Sequence, residues 1–405
     1  MTDGKGDSGR AESISWLELF FDLVVVAAVS VLADSLRADL TAHGLGVTVL
    51  VYVAIWTSWT LAVFYANVAR EKTRVRTMTF AMFLIALMTA SAPLHDSARA
   101  NLFAAAYIVL RLLLARSSLE TGRFLDNFPG LQQTGAILPW VVSFWFDTPG
   151  KYWAWAVGAA IDLVLSVLRA DEVSGRNLAR LNQKRHDDHR GHRVPDLVVV
   201  DIDRHHLDER LGLFIIIVLG EAVVQLVQAA ATAEWTTDFE WVAVASFILL
   251  VGLWRTTFAH GFTGAPHTSL ADLPPRFGLP LHLVSTLGLV LLATGLSILL
   301  TESGAGHVEP AVGWLVAGGM AAHLGVALVA GLSARTAGWE WVLLFAGTAT
   351  LYAVVLGFLA PHLLPVSFAW LAVVPAVWQA TIGEQLSQRR SVAMASAAGL
   401  QPREG

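Results

Sequence analysis

The chain contains no cysteine, and few of its residues are charged. The absence of cysteine excludes disulfide bonds, thiolate metal sites, iron–sulfur clusters and cysteine nucleophiles. Only 15% of the 405 residues are charged, while 55% are hydrophobic. An average soluble domain has about 25% charged residues. The net charge of −5 is small and gives no indication of a nucleic-acid partner. This composition indicates a membrane protein.

Long unbroken apolar runs take the place of the amphipathic stripes expected in a soluble protein. Residues 1–13 are polar and lack the features of a secretory signal, so we expect the first apolar run to insert the chain. The fifth and sixth runs are the weakest, because they carry Pro139 and Asp162, and we predict that they form a tight helical hairpin. The sequence predicts twelve spans: 14–34, 47–67, 78–94, 100–119, 132–146, 152–168, 211–230, 240–260, 280–300, 311–333, 340–359 and 366–384.

The distribution of Lys and Arg predicts how these spans are oriented. With the N-terminus in the cytoplasm, 23 of the 27 basic residues fall in segments on the cytoplasmic side. Basic residues accumulate on that side of short loops. We therefore predict an all-α, polytopic transmembrane helical bundle of about twelve spans. It is expected in the cell (inner or cytoplasmic) membrane, with both termini cytoplasmic.

A polar, basic and His-rich segment, 169–210, divides the chain into two halves, 1–168 and 211–405. Each half has six predicted spans, and we interpret the segment between them as a cytoplasmic linker. Shifting the first half by 191 residues places Glu18 on Glu209. The halves are thus interpreted as a weak repeat whose axis lies along the membrane normal. The linker His residues have no metal-site spacing, so we expect no metal and no cofactor.

Carboxylates inside apolar runs are candidates for a functional site, because a charge there costs at least a few kcal/mol. Glu18 and Asp22 are four residues apart and share a helix face, so they could share a proton or bind a cation. Glu18 could instead lie at the headgroups, where it favours the helix N-terminus. Glu221 follows Gly220, which permits close helix approach. It is either functional or protonated and hydrogen-bonded to another helix.

Cationic and aromatic groups complete the candidate set. Arg111 is expected to pair with one of these carboxylates or to snorkel to the interface. His282 is either a proton carrier or a headgroup contact. Glu209 and Arg210 either belong to the site or orient their helix. Most Trp residues lie near span ends, as in interfacial belts. Three lie elsewhere and either line a cavity or pack in the bundle: Trp56, Trp59 and Trp254.

Several segments carry a family resemblance: LELFFDLVVV at 17–26, the stretch 56–71, HLDERLGLFIIIVLGEAVV at 206–224, the Trp254 segment and PLHLVSTLG at 280–288. Together they resemble the bacterial low temperature requirement A family of multi-pass membrane proteins, over nearly the whole chain. The sequence departs from the family pattern at 68–72 and at Ala222. The resemblance implies these motif positions: Glu18, Phe20, Phe21, Asp22, Asn67, His206, Glu209, Arg210, Gly212, Gly220, Glu221 and His282.

The intramembrane acids Asp22 and Glu221, one in each half, favour a transporter or a proton- or cation-coupled translocator. Its partners would be membrane lipid and a small molecule or ion. One alternative is a membrane-embedded enzyme acting on a lipid or isoprenoid-like substrate, with these carboxylates as general acid and base. It is less favoured, since the sequence has no phosphate-binding loop or nucleophile elbow. Another is a non-catalytic factor for cold tolerance or assembly that uses the linker to bind anionic lipid.

Overall fold

The computed structural model describes residues 16–69, 71–94, 96–121, 123–125, 136–168, 182–183, 198–200, 203–259, 275–334 and 339–379. Almost all of these residues are helical, because a helix satisfies its own backbone hydrogen bonds where no water is present. The helices are α1 Trp16–Ala38, α2 Ala42–Val68, α3 Glu71–Ser91, α4 Ser97–Thr121, α5 Ile137–Val142, α6 Gly150–Leu168, α7 Arg204–Thr232, α8 Thr237–Ala259, α9 Pro275–Thr301, α10 Pro310–Ala334, α11 Trp339–Leu359 and α12 Pro365–Gln379.

Each predicted span corresponds to one helix, which confirms the helical class. Six helices are long and apolar enough to cross a membrane: Trp16–Ala38, Ala42–Asn67, Ser97–Ser117, His206–Thr232, Thr237–Phe258 and Phe277–Thr301. Helix α5 and the 3-10 turn that continues it, Ser143–Trp145, together reach only about 15 Å. This is about half of a hydrocarbon core of about 30 Å. The count of twelve spans therefore stays a prediction.

The hairpin predicted for α5 and α6 is present and is packed by aromatic rings. Trp140 stacks on Trp155, with ring centroids 5.0 Å apart and planes 16° from parallel. Gly158 leaves room for Trp140, because a Cβ there would lie 2.5 Å from its Nε1 atom. Trp140 is fully buried, so it is not one of the interfacial Trp residues, as its position near a predicted span end had suggested.

Two short strands pair between the C-terminal end of α4 and the N-terminal end of α7. Strand β1, Arg123–Leu125, pairs in parallel with strand β2, Val198–Val200. Since β1 follows α4 and β2 precedes α7, the chain returns to the side from which it left. This pairing is compatible with the two crossings predicted for α5 and α6. The sequence did not predict these strands. Most of the predicted linker, including His186, His189 and His192, lies outside the described residues.

Helix α7 begins at Arg204, earlier than the predicted position 211. Asp203 caps this end, because its side chain accepts a hydrogen bond from the backbone nitrogen of His206 at 3.1 Å. The earlier start places Arg210 inside the helix, where its side chain is buried. The helix therefore begins almost two turns before the start predicted for the seventh span.

Helices α1 and α7 lie side by side and run in the same direction. Asp22 contacts Arg210 near their beginnings, and Ser30 contacts Glu221 further along. We call the end of the bundle at which both helices begin the lower end, and the opposite end the upper end. Helices α1 and α7 are also the first helices of the two predicted halves, and the repeat predicted from the sequence requires this parallel direction.

Helices α9 and α10 approach closely through glycine, as is common between membrane helices. A Cβ added at Gly319 would clash with the backbone oxygen of Gly288 and lie 2.8 Å from the backbone nitrogen of Leu292. The neighbouring Gly318 has only an ordinary contact, at 3.6 Å from Trp314. Close packing of the two backbones thus depends on one of the two adjacent glycines.

The substitution Gly319→Ala is expected to destabilise the bundle by about 1–3 kcal/mol, because it forces two backbones apart. Thermal unfolding of the purified protein in detergent measures the effect. Gly318→Ala is the matched control, and it should be neutral or slightly stabilising because Ala favours helix over Gly. Equal unfolding midpoints for the two variants would contradict the packing described above.

The absence of native cysteine allows the predicted orientation to be tested with single cysteines. Gly304 is exposed in the connection between α9 and α10 at the upper end, and Thr73 is exposed at the lower end. Gly304→Cys should react with a membrane-impermeant maleimide in intact cells. Thr73→Cys should react only after permeabilisation. The reverse pattern would show that the lower end faces outward.

Candidate functional site

A buried ion pair joins α1 to α7 in the lower part of the bundle. The Arg210 Nη2 atom donates a hydrogen bond of 2.7 Å to Asp22 Oδ1. The side chains are 1% and 0% exposed, respectively. Removing both charges from water is costly, and their attraction offsets this cost only in a well-defined geometry. The pair therefore specifies the position of α1 against α7 more than it adds stability.

Trp59 of α2 holds the carboxylate of this pair. Its Nε1 atom donates a hydrogen bond of 2.7 Å to Asp22 Oδ1, the atom that also accepts from Arg210. Asp22 Oδ2 and Arg210 Nη1 are both buried, and neither has a hydrogen-bond partner among the described residues. Buried polar atoms are normally paired. The pair thus keeps one acceptor and one donor that a proton, a water molecule or a ligand can use.

His282 of α9 extends this cluster. Its Nδ1 atom lies 3.0 Å from the indole nitrogen of Trp56 and its Nε2 atom 3.1 Å from the carbonyl oxygen of Leu211. An indole N–H only donates, so Nδ1 accepts and Nε2 carries the hydrogen. The ring stacks on Trp59 at 5.6 Å. His282 is fully buried, so the headgroup contact is wrong. As a proton carrier, it would require Trp56 to move away from Nδ1.

Glu18 lies one turn before Asp22 and is 1% exposed, so it does not sit among the headgroups. Its carboxylate is within 4.0 Å of three basic side chains. These are Arg74 at 3.9 Å, His206 at 3.9 Å and Arg210 at 4.0 Å. Arg74 and His206 are partly exposed and lie between Glu18 and the lower end of the bundle. We define the lower cluster as Glu18, Asp22, Trp56, Trp59, Arg74, His206, Arg210 and His282.

A second polar cluster lies nearer the upper end of the same two helices. Ser30 of α1 donates a hydrogen bond of 2.5 Å to Glu221 of α7, and Gln225 donates a weaker one of 3.4 Å. Arg37 donates to the Gln225 side chain at 3.2 Å and to Ser297 of α9 at 2.9 Å. It also donates to Asp34 at 2.8 Å. We define the upper cluster as Ser30, Asp34, Arg37, Glu221, Gln225 and Ser297.

The two clusters are separated by apolar side chains. Ser30 is eight residues beyond Asp22 on α1, which is about 12 Å along the helix. Val25 and Val29 lie on α1 between them, and Phe214 and Val218 occupy the corresponding stretch of α7. These four side chains are at most 1% exposed. The acids at the two ends therefore do not meet.

Arg111 does not pair with any of the carboxylates predicted for it, and it does not snorkel. Its guanidinium forms a two-pronged ion pair with Asp162 of α6, with Nη2 2.8 Å from Oδ1 and Nη1 on Oδ2. Arg111 also donates to the Tyr107 hydroxyl at 2.6 Å. Both charged side chains are buried. The sequence placed Asp162 in the weakest predicted span and gave no sign that this span contacts α4.

The remaining predicted residues lie apart from the clusters. Among the described residues, no atom of another helix lies within 4 Å of the Cβ position at Gly220, so the predicted close helix approach is not found there. Gly212 has one ordinary contact, at 3.7 Å. Glu209 is exposed and Asn67 is partly buried. Trp254 is 50% exposed, unlike the buried Trp residues of the lower cluster.

Sequence reasoning missed most of the upper cluster, because single Ser and Gln residues inside apolar runs are common. His323 is a further buried polar side chain within the bundle. In the structure Ser285 lies 2.8 Å from His323 Nδ1 and Thr257 lies 3.2 Å from Nε2. These contacts give each nitrogen of the buried His323 ring a hydrogen-bond partner, at the interface between α8, α9 and α10. Within the described residues, no group of three or more His, Asp or Glu side chains could hold a metal ion.

Comparison with known proteins places the chain in a family. The sequence profile of the family described as bacterial low temperature requirement A protein (LtrA) matches residues 13–378. The chain belongs to the LtrA family. This confirms the resemblance noted in the sequence and the membrane class that it implies. Five motif positions of this LtrA protein, from three different helices, converge in the lower cluster: Glu18, Asp22, His206, Arg210 and His282.

One relative of this LtrA protein is an uncharacterized protein of Rhizobium meliloti (strain 1021), which is 26% identical over 267 residues. The alignment covers 61% of this chain and 58% of that protein. The chain therefore spans less than two thirds of the length of this relative. No solved structure matches the chain at a significant level.

The Arg111–Asp162 pair offers a test of a purely structural role. Asp162→Asn should destabilise the protein by about 3–5 kcal/mol, because it leaves the buried charge of Arg111 without its counter-charge. The double change Asp162→Leu with Arg111→Met removes both charges and should recover much of that loss. Thermal unfolding in detergent measures all three proteins. A double variant less stable than Asp162→Asn would show that the pair itself stabilises the fold.

Proposed function

We propose that this LtrA protein is a proton- or cation-coupled translocator whose path follows the interface between α1 and α7. The supporting observation is that two polar clusters with buried carboxylates lie at different depths along this one interface. Asp22 belongs to the lower cluster and Glu221 to the upper cluster. Ionisable groups at such depths usually mark ion pathways. A purely structural pair would not require a second cluster in line with it.

Each cluster has partly exposed groups on the side of its own end of the bundle. His206 and Arg74 are 13% and 21% exposed at the lower end. Arg37 is 26% exposed at the upper end. The apolar stretch between the clusters separates these two approaches. This arrangement suits alternating access, in which one half moves against the other around a central site.

The lower cluster supplies the proposed switch. A proton on Asp22 would neutralise the carboxylate and weaken its attraction for Arg210. The Arg210 guanidinium would keep the Glu18 carboxylate, which is 4.0 Å away, as its counter-charge. Because Asp22 lies on α1 and Arg210 on α7, a proton taken up here would loosen the contact between the first helices of the two halves. In this way proton binding would be linked to movement of the halves.

The same geometry argues against the enzyme alternative. A lipid-active enzyme needs its general acid and base within reach of the substrate. Asp22 and Glu18 are instead 0% and 1% exposed and are surrounded by protein groups. The assembly-factor alternative depends on the 169–210 linker, most of which lies outside the described residues. Both alternatives stay predictions, and the transport experiment below bears on each of them.

Proteoliposomes that contain the purified protein are expected to show a proton or cation flux that is lost in Asp22→Asn and in Glu221→Gln. Each change removes a carboxylate from the proposed path at nearly constant size. A pH-sensitive dye and a cation-sensitive dye inside the vesicles measure the flux.

The matched control is Glu240→Gln, which removes an exposed carboxylate at the upper end. It should leave the flux unchanged. Each variant is first checked for a monodisperse elution profile, because Asp22→Asn leaves Arg210 with only the more distant Glu18 carboxylate as its counter-charge. If well-folded Asp22→Asn and Glu221→Gln proteins retain the wild-type flux, these carboxylates do not carry the translocation.

A further inference from the structure

Arg37 lies among oxygen atoms that would otherwise suit a free cation. Its Nε atom donates to Ser297 Oγ at 2.9 Å and its Nη2 atom to Gln225 Oε1 at 3.2 Å. Nε and Nη2 form one edge of a guanidinium, the edge that binds the paired oxygens of a carboxylate. The Ser297 and Gln225 oxygens therefore converge on a single positive group.

These oxygens are built into the protein rather than exposed on its surface. Gln225 and Ser297 are each 1% exposed. The Ser297 hydroxyl donates its hydrogen to the carbonyl oxygen of Thr294 at 2.7 Å, so its lone pairs point to Arg37. The Glu221 carboxylate and the Ser30 hydroxyl continue the same cluster inward. Besides Asp34 and Arg37, the upper cluster thus holds one carboxylate, one carboxamide oxygen and two hydroxyl oxygens from α1, α7 and α9.

The Arg37 guanidinium also has an alternative partner outside the buried oxygens. Its Nη1 atom donates to Asp34, which lies one turn before it on α1 and is 68% exposed. The side chain can therefore swing towards water and keep its ion pair. With both carboxylates ionised, the upper cluster carries a formal charge of one negative unit. One monovalent cation would neutralise it.

We propose that the upper cluster is a binding site for a small monovalent cation, and that Arg37 is a built-in competitor for its oxygen ligands. When Arg37 turns to Asp34, the cation takes the oxygens of Gln225 and Ser297 together with the Glu221 carboxylate. Oxygen ligands of this kind suit hard cations. This inference deepens the proposed function, since it names the class of ion that Glu221 would bind and the side chain that controls access to it.

The test measures cation binding by the purified protein in detergent at fixed pH. Sodium chloride or potassium chloride replaces choline chloride at constant ionic strength, and the thermal unfolding midpoint is followed. A ligand that binds the folded state raises this midpoint with its concentration. Arg37→Gln is expected to lower the half-saturating cation concentration by about tenfold, because the ligands lose a competing donor pair.

The matched control is Arg99→Gln. Arg99 is also at the upper end and pairs with a carboxylate three residues away, Asp96, but it is exposed and outside the cluster. The half-saturating concentration of this control should equal that of the wild type. Equal values for Arg37→Gln and Arg99→Gln would overturn the proposal that Arg37 competes. Arg37→Lys keeps the charge without the paired donors and should fall between wild type and Arg37→Gln.

A second measurement tests the site without any change at Arg37. The midpoint shift of the wild type with sodium or potassium should disappear in Glu221→Gln. A shift that persists in that variant would overturn the site. The outcome is independent of transport, because no gradient exists in detergent. Binding without flux would contradict the translocator proposal alone, and carboxylate-dependent flux without specific binding would contradict the cation site alone.

Discussion

The contact between Asp22 and Arg210 is the constraint on which the rest of the structure depends. A carboxylate and a guanidinium buried together are tolerated only when each satisfies the other, because either alone would be an uncompensated charge in a medium of low dielectric. The pair therefore fixes the direction and the register of α1 against α7. Trp59 of α2 donates a hydrogen bond to the pair, and His282 of α9 stacks on Trp59, so side chains of four helices are connected to one buried charge pair.

Other contacts along both helices keep nearly the register of this pair. Asp22 and Arg210 are 188 residues apart, as are Arg37 and Gln225, whereas Ser30 and Glu221 are 191 apart, which is the shift predicted to superimpose the two halves in sequence. In two parallel helices related by a two-fold axis, equivalent residues face each other across the axis. The Ser30–Glu221 contact has this form, with a hydroxyl in one half and a carboxylate in the other. The internal repeat itself stays a prediction.

Features set by the bilayer could be predicted from sequence, since the required helix length and the cost of a charge act locally. The helices and the buried acids Asp22 and Glu221 follow from these effects. The partner of Arg111 does not, because Asp162 is 51 residues away and only tertiary packing brings the two together. The start of α7 was missed although Asp203 is a typical N-cap residue. The paired strands depend on a contact between distant segments, which no local pattern indicates.

For the proposed translocation, the apolar stretch between the clusters imposes an order of events. A cation at Glu221 faces Val29 and Val218 on its lower side, and these side chains offer it no ligand. It can go further only if α1 moves relative to α7, and the Asp22–Arg210 pair resists that movement. Neutralising Asp22 would weaken this resistance, and in the proposed mechanism occupation of the upper cluster would thereby be linked to protonation of the lower one. The two carboxylates can therefore be coupled without contact, through the single interface that both share.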